Sequence, residues 1–353
     1  MNKAVGFLIA LLVLFLSGFT CAASTYWDVS GTGMWMLETN WRYDQLPRLD
    51  ETVHVNKGNP VISTTSQNAL AGNLYISGAT VDMEWGELRV NDHMAVGYWS
   101  GSGPAAFYHE NGKVSAYILR LCAGSNTQAV YEITDGELDV NDMDIGTNGG
   151  SGAFIQTGGT VNVENVISLP TWYASGAGIS YEMSGGRLNT RHLYIEQSDN
   201  DCQGTFNIVD NGAEILIKNS LTIKEGGRLL AVPDAVIHFS EVGFFNPHTT
   251  DFSKITDLEN LSLLFDGVAP DFSGRVYAGM EVAGKDLGAV AAGFDNNFAP
   301  KAVALGQNSH IYLSDAYDNQ PGSTGPEALY VRDLTLSKNA VLHLNGFNVY
   351  CNC

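Results

Sequence analysis

Positive charge is scarce in this chain: 18 Lys and Arg stand against 38 Asp and Glu, for a formal net charge of −20. A surface with that balance repels nucleic acid and anionic membranes, and it repels polyuronates unless calcium bridges the two. Long apolar runs are scarce too. After residue 16 no segment is long and apolar enough to span a bilayer. Helical periodicity is nearly absent, and only residues 251–261 would place Leu258 and Leu261 on one side of a short helix. Catalytic signatures are missing as well, with no Gly-x-Ser-x-Gly elbow and no phosphate loop. None of the eight histidines (His54, His93, His109, His192, His238, His248, His310, His343) has the His-Glu-x-x-His spacing of a zinc enzyme.

What is present begins with a leader. Lys3 precedes an apolar stretch at residues 5–16, and Ser17, Gly18, Ala22, Ala23 and Ser24 supply the small residues that signal peptidase prefers. Residues 1–23 are therefore expected to be a cleaved signal peptide, and the protein to be secreted or displayed at the cell surface. Gly18, Phe19 and Thr20 before Cys21 depart from a lipobox, which argues against lipidation there. Cys122, Cys202, Cys351 and Cys353 follow. Export permits disulfides, but the spacing fits no zinc motif and leaves three pairings open, with buried or incidental thiols the plainer reading. Charged residues make up only 16% of the chain and glycines number 39, which marks a turn-rich folded protein rather than an acidic disordered one.

Self-similarity is the dominant signal. A glycine precedes a short alternating run at Gly86, Gly112, Gly136, Gly159, Gly186 and Gly212, at intervals of 26, 24, 23, 27 and 26 residues. Leu88 and Val90 face one way while Glu87 and Arg89 face the other, and Leu138 and Val140 repeat the pattern. Second and third runs follow in each unit, as at Met94–Val96 and residues 129–133. Three short strands per unit of about 25 residues, with Gly, Asn and Asp turns, predict one coil of a parallel β-helix. The expected fold is all-β: a right-handed parallel β-helix, although alternation by itself does not determine the hand. A β-sandwich is the rival, disfavoured by the fixed period.

Four segments are expected: the leader (1–23), a Trp-rich N-terminal cap (24–60), the regular solenoid repeats (61–240) and a less regular β region (241–353) continuing or capping the solenoid. Trp27, Trp35 and Trp41, half of the six tryptophans, crowd into 15 residues, as befits a lid over the first coil's apolar core. The elements Trp35, Asn40-Trp41, Leu46-Pro47 and Asp50-Glu51-Thr52-Val53 resemble the opening of secreted bacterial autotransporter-like repeat proteins. Asp50-Glu51 stands where those proteins have Gly-Asp. Residues 281–298, 312–319, 327–331 and 344–350 resemble recurring elements of large planctomycete-type exported proteins. The resemblance implies an extracellular β-solenoid and transfers no catalytic residues.

The candidate sites are few. Polysaccharide lyases and glycosidases occur on this fold, and their chemistry needs convergent carboxylates. Asp92 and Asp142 occupy matching places in two near-identical repeats, two coils or about 10 Å apart, yet the coil between offers Ile118. Turn formation by the Asn-Asp pairs is the plainer reading, so no catalytic residue is assigned. Tyr98-Trp99 and Trp172-Tyr173 follow Gly86 and Gly159 by 12–14 residues, which predicts aromatic pairs on one edge, three coils apart, able to stack on sugar rings. Asp199, Asp201, Asp295, Asp315 and Asp318 are candidate calcium ligands, although none has an EF-hand or nonapeptide spacing. The expected role is structural or adhesive and non-catalytic, with surface proteins or an extracellular polysaccharide as partner. Glycan binding is the second possibility and glycan cleavage the third.

Overall fold

The computed structural model describes residues 23–100, 102–146, 149–170, 178–195, 203–250, 258–267, 278–322 and 325–352. Strand accounts for 57% of the described residues and helix for 3%, and the strands stack as parallel coils into a β-solenoid of about nine turns. Parallel pairing between successive coils excludes the sandwich, whose sheets are antiparallel. At about 4.8 Å per coil, nine turns span roughly 40 Å. No helix among the described residues is long and apolar enough to cross a membrane.

Each regular coil has three faces. In one coil Gln128–Ile133 forms the first, residues 137–140 the second and residues 142–145 the third. The second and third belong to one bent strand, Glu137–Ile145, where the repeat pattern suggests two. The difference lies in the corners. The first corner is a glycine turn that interrupts the strand, whereas the second is a bulge that lets hydrogen bonding run through it. Register is continuous. Leu138 lies between Val114 and Val161, and Met143 lies between Leu119 and Ile167, all fully buried. Outside, Lys113 pairs with Glu137 at 3.2 Å, and Arg187 with Glu214 at 2.6 Å in a later coil. Such exposed pairs add little stability, but opposite charges in adjacent coils favour the observed register.

The repeat glycines stack on one another. At Gly136 φ is +85°, and a β-carbon there would come within 2.4 Å of the Gly112 carbonyl oxygen. Gly212, the last of the series, is different. Glu214 pairs with Arg187, so Ala213 rather than Gly212 lies in register with Gly186, and Gly212 is not among the positive-φ glycines. The glycine spacing thus stays regular for one coil longer than the glycine corner itself.

Inside the first face Phe107, Tyr131, Phe154, Tyr181 and Phe206 occupy one row in five successive coils, with ring centroids 4.7–5.1 Å apart. Each buried ring contributes roughly 2–3 kcal/mol, and the two phenols need polar partners in that interior. The Tyr181 hydroxyl donates to Gln156 Oε1 at 2.7 Å, and the Tyr131 hydroxyl meets His109 Nδ1 at 3.1 Å. His109 Nε2 faces the Gly112 carbonyl at 3.2 Å, so it carries the proton and Nδ1 accepts from the tyrosine.

Burial lowers the His109 pKa from 6.5 to about 4. Below pH 6.5 the unfolded chain takes up a proton that the folded chain refuses, so stability falls progressively as the pH drops from 6.5 towards 4. By pH 5 the loss from this residue is about 2 kcal/mol. Gln156 performs the same task two coils on without titrating, so His109→Gln is expected to fold and to shrink the melting-temperature difference between pH 7 and pH 5. An equal difference in both proteins would show that His109 is not the titrating group.

The N-terminal segment does more than cover the first coil. Ser24–Tyr26 pairs with Thr52–Val55, and Thr32–Met34 pairs with Asn59–Ala71, so residues 24–60 already contribute strands to two faces. Trp27, Trp35 and Trp41 are buried against them. Trp41 meets the other two edge-on at 5.1 and 4.7 Å, and its indole N–H donates to the Trp35 carbonyl at 2.7 Å.

Beyond residue 241 the second and third faces continue through Leu261–Phe265, Ala302–Leu305 and Asp333–Leu336, and through Gly279–Glu281 and His310–Ser314. The first face is replaced in chain order by a small separate sheet. In it Glu327–Val331 lies parallel to Asn348–Cys351 and antiparallel to Gly284–Lys285. Of the short helix expected at 251–261, residues 251–257 lie outside the described residues, Leu258–Asn260 is a 3-10 turn, and Leu261 opens a strand. Cys122 is a buried thiol whose pKa burial raises to about 12, and Cys351 is exposed. Cys202 and Cys353 lie outside the described residues.

Candidate functional site

The third face carries an outward aromatic row at its N-terminal end. Register places Tyr26 beside His54, His54 beside Tyr75, and Tyr75 beside Ala95. Tyr26 stacks on His54 at 4.7 Å, and the His54 and Tyr75 rings are 5.5 Å apart. Ala95 is small enough to leave room over Tyr75, and the Tyr98 ring lies there, 4.0 Å away and within 9° of parallel. Trp99 completes the group edge-on to Tyr98 at 5.0 Å, with its backbone N–H donating to Ser77 Oγ. Its side chain remains half exposed, at 51%. At the other end the Arg42 guanidinium lies over Tyr26 at 5.4 Å and over the exposed Tyr43 at 5.8 Å.

Polar groups border this row on the following coils. Asp92 and His93 are 3.1 Å apart, and Arg120 and Asp144 are 3.3 Å apart. Burial raises the Asp144 pKa in spite of Arg120, and burial lowers that of His54. Burial also raises the Tyr75 pKa, assisted by Tyr98 and Asp92 and opposed by Arg120. The face therefore presents neutral rings beside a rim of charged donors and acceptors. That combination suits a ligand with an apolar ring face and hydroxyl edges.

A groove of about 610 Å³ follows the corner between the second and third faces. Tyr117, Asn141, Glu164, Arg191 and Lys218 are successive corner residues along it, with Asn162 and Asn189 on one wall. The Asn189 amide donates to Asn162 Oδ1 at 2.8 Å, and the Asn162 amide to Asp139 Oδ1 at 2.8 Å. Tyr117 is 54% exposed at the groove's N-terminal end, and its backbone N–H donates to the Asp92 carbonyl of the preceding coil. The groove thus begins one coil beyond the residue that borders the aromatic row.

Several sequence expectations change place. Tyr98 and Trp99 join Tyr26, His54 and Tyr75, which no local motif marks. Trp172 and Tyr173 lie outside the described residues. Asp92 and Asp142 are not equivalent. The coil with Asp92 has two corner residues, Asn91 and Asp92, whereas the coil with Asp142 has only Asn141, so His93 and Asp142 are the residues aligned through Ile118. Asp142 accepts amide hydrogen bonds from Asn141 and Asn165 at 2.7 and 2.8 Å.

Among the calcium candidates, Asp199 and Asp201 lie outside the described residues. Asp295 is exposed and ion-paired with Arg332 at 3.5 Å. Asp315 and Asp318 share one loop, where burial and then Asp318 raise the Asp315 pKa. Among the described residues no three His, Cys, Asp or Glu side chains form a group able to hold a metal. Comparison with protein families, curated proteins and solved structures returned no match.

Proposed function

We propose that this chain is an exported, non-catalytic β-solenoid with an adhesive role at the cell surface or in the extracellular matrix, and that its adhesive face is the aromatic row ending at Trp99. The leader-like residues 1–23 and the resemblance of the Trp-rich opening to exported repeat proteins motivate the location. The observation that carries the binding role is the half-exposed Trp99 indole, backed by a stack of four neutral rings and bordered by Arg120, Asp144 and His93. A sugar presents an apolar ring face to an indole and hydroxyls to such a rim. The net charge of −20 favours a neutral polysaccharide over an acidic one. Beyond Trp99 the corner groove offers polar groups about one coil, ~4.8 Å, apart, a regular spacing suited to an extended hydroxyl-bearing chain. The non-catalytic reading is supported by Asp142, whose carboxylate is held by two amides beside the bulge of its strand.

Affinity electrophoresis of residues 24–353 through gels containing neutral and acidic polysaccharides tests this reading. Retardation by a neutral glycan is expected, and Trp99→Ala should weaken it by tenfold or more with no change in melting temperature. Unchanged mobility across the whole panel would reject glycan binding and leave a scaffold or protein-adhesion role.

A further inference from the structure

The C-terminal coils contain a polar interior that the binding face does not explain. Glu327 opens the central strand of the small sheet and is 4% exposed, and neither carboxylate oxygen has a side-chain hydrogen-bond partner. Over it runs the 315–320 loop, fixed at several points. Glu281 Oε1 accepts the backbone N–H groups of Ala316 and Tyr317 at 2.6 and 2.8 Å. The Gln320 side-chain amide donates to the Ala283 carbonyl at 3.1 Å. The Asn319 amide nitrogen donates to the carbonyls of Pro247 and Thr249 at 2.7 and 2.8 Å. That pair of bonds sets the orientation of the amide and leaves Asn319 Oδ1, in a residue 1% exposed, without a partner.

Asn319 Oδ1 is therefore a buried acceptor without a donor, and the Glu327 carboxylate has no side-chain donor, only the backbone N–H groups of Asn319 and Gln320 directed at it. Buried acceptors so poorly served, a carboxylate above all, are costly. The surrounding charges deepen the problem. Burial raises the Glu327 pKa, Asp315 and Asp318 add to that, and the backbone N–H groups of Asn319 and Gln320 oppose it only in part. Glu281 lies on the strand below, and Lys285, the register partner of Glu327, makes no ion pair with it among the described residues. A further side-chain donor would satisfy one oxygen. A hard cation satisfies several at once, and calcium accepts carboxylate, amide and main-chain oxygens together.

We propose that the pocket beneath the 315–320 loop binds calcium through the Glu327 carboxylate, Asp315 and Asn319 Oδ1, locking the loop onto the C-terminal coils. Two carboxylates and an amide oxygen, completed by main-chain carbonyls or water, fall within the oxygen sets that calcium takes. This inference is independent of the glycan-binding face, which lies at the other end of the solenoid.

Thermal melts of residues 24–353 at pH 7 in millimolar calcium chloride and in EDTA test it. Calcium is expected to raise the melting temperature of the native sequence by several degrees. Glu327→Gln should lose that increment and melt close to the native sequence in EDTA, because burial raises the Glu327 pKa to about 8 and the carboxyl is mostly protonated at pH 7 without the ion. If the native sequence melts identically in calcium and EDTA, Glu327 is accommodated by a proton and the calcium site is rejected. A full calcium increment in Glu327→Gln would reject it as well, by placing the ion elsewhere.

Discussion

Replacing Trp41 by alanine is expected to destabilise the N-terminal coils by about 4 kcal/mol, within the usual range for removing a fully buried tryptophan. The indole is 1% exposed, lies edge-on between Trp27 and Trp35, and donates to the Trp35 carbonyl. Alanine would leave a cavity between two other tryptophans and an acceptor without its donor. A solenoid coil touches only its neighbours, so the damage should be local before it becomes global. Amide exchange should therefore accelerate over residues 24–76 while residues 128–169 keep their protection. Unchanged protection at the N-terminal end would mean that the tryptophans merely decorate a coil that is stable without them.

The second large effect concerns two glycines of one repeat series. Gly136→Ala is expected to cost about 3 kcal/mol. One part is the penalty for a side chain at φ +85°, which is roughly 1–2 kcal/mol. The other is the contact of the new β-carbon with the Gly112 carbonyl oxygen at 2.4 Å and with His109 Nε2 at 2.9 Å. Neither neighbour can retreat easily, because one is ladder backbone and the other sits in the buried hydrogen-bond pair with Tyr131. Gly212→Ala is the control. Its nearest neighbour is the Asp210 side chain at 3.2 Å, and its φ lies outside the left-handed region, so a change within about 0.5 kcal/mol is expected. Chemical denaturation of the two variants separates the cases, and equal losses would remove the stacked-glycine explanation of the repeat.

That contrast shows how far the fold could be read from sequence. Leu88, Leu138 and their equivalents alternate with period two because a strand does, and the glycines recur because the first corner needs left-handed backbone. Both signals are local, so the coil was legible. Register is not local. Ala213 occupies the corner that Gly212 seemed to mark, and one extra corner residue offsets Asp92 from Asp142. The aromatic row was only partly visible for the same reason. Tyr98 and Trp99 are adjacent in sequence, but Tyr26, His54 and Tyr75 join them only through coil stacking. Asp315 and Asp318 were recognisable as an acidic loop. The buried carboxylate of Glu327 was not, since a glutamate at the start of an apolar run usually faces water.

The unbroken row from Phe107 to Phe206 restricts how a molecule of this kind can change its length over evolutionary time. A duplicated coil brings its own ring, glycine corner and bent strand, and it can slide into the stack without disturbing those above or below. An insertion of a few residues has no such place and must be extruded as a loop between faces. Lineages carrying this architecture should therefore differ in length by steps of about 25 residues, ~4.8 Å of rod each, with smaller differences gathered at the coil edges, where new surfaces can be tried without reopening the interior.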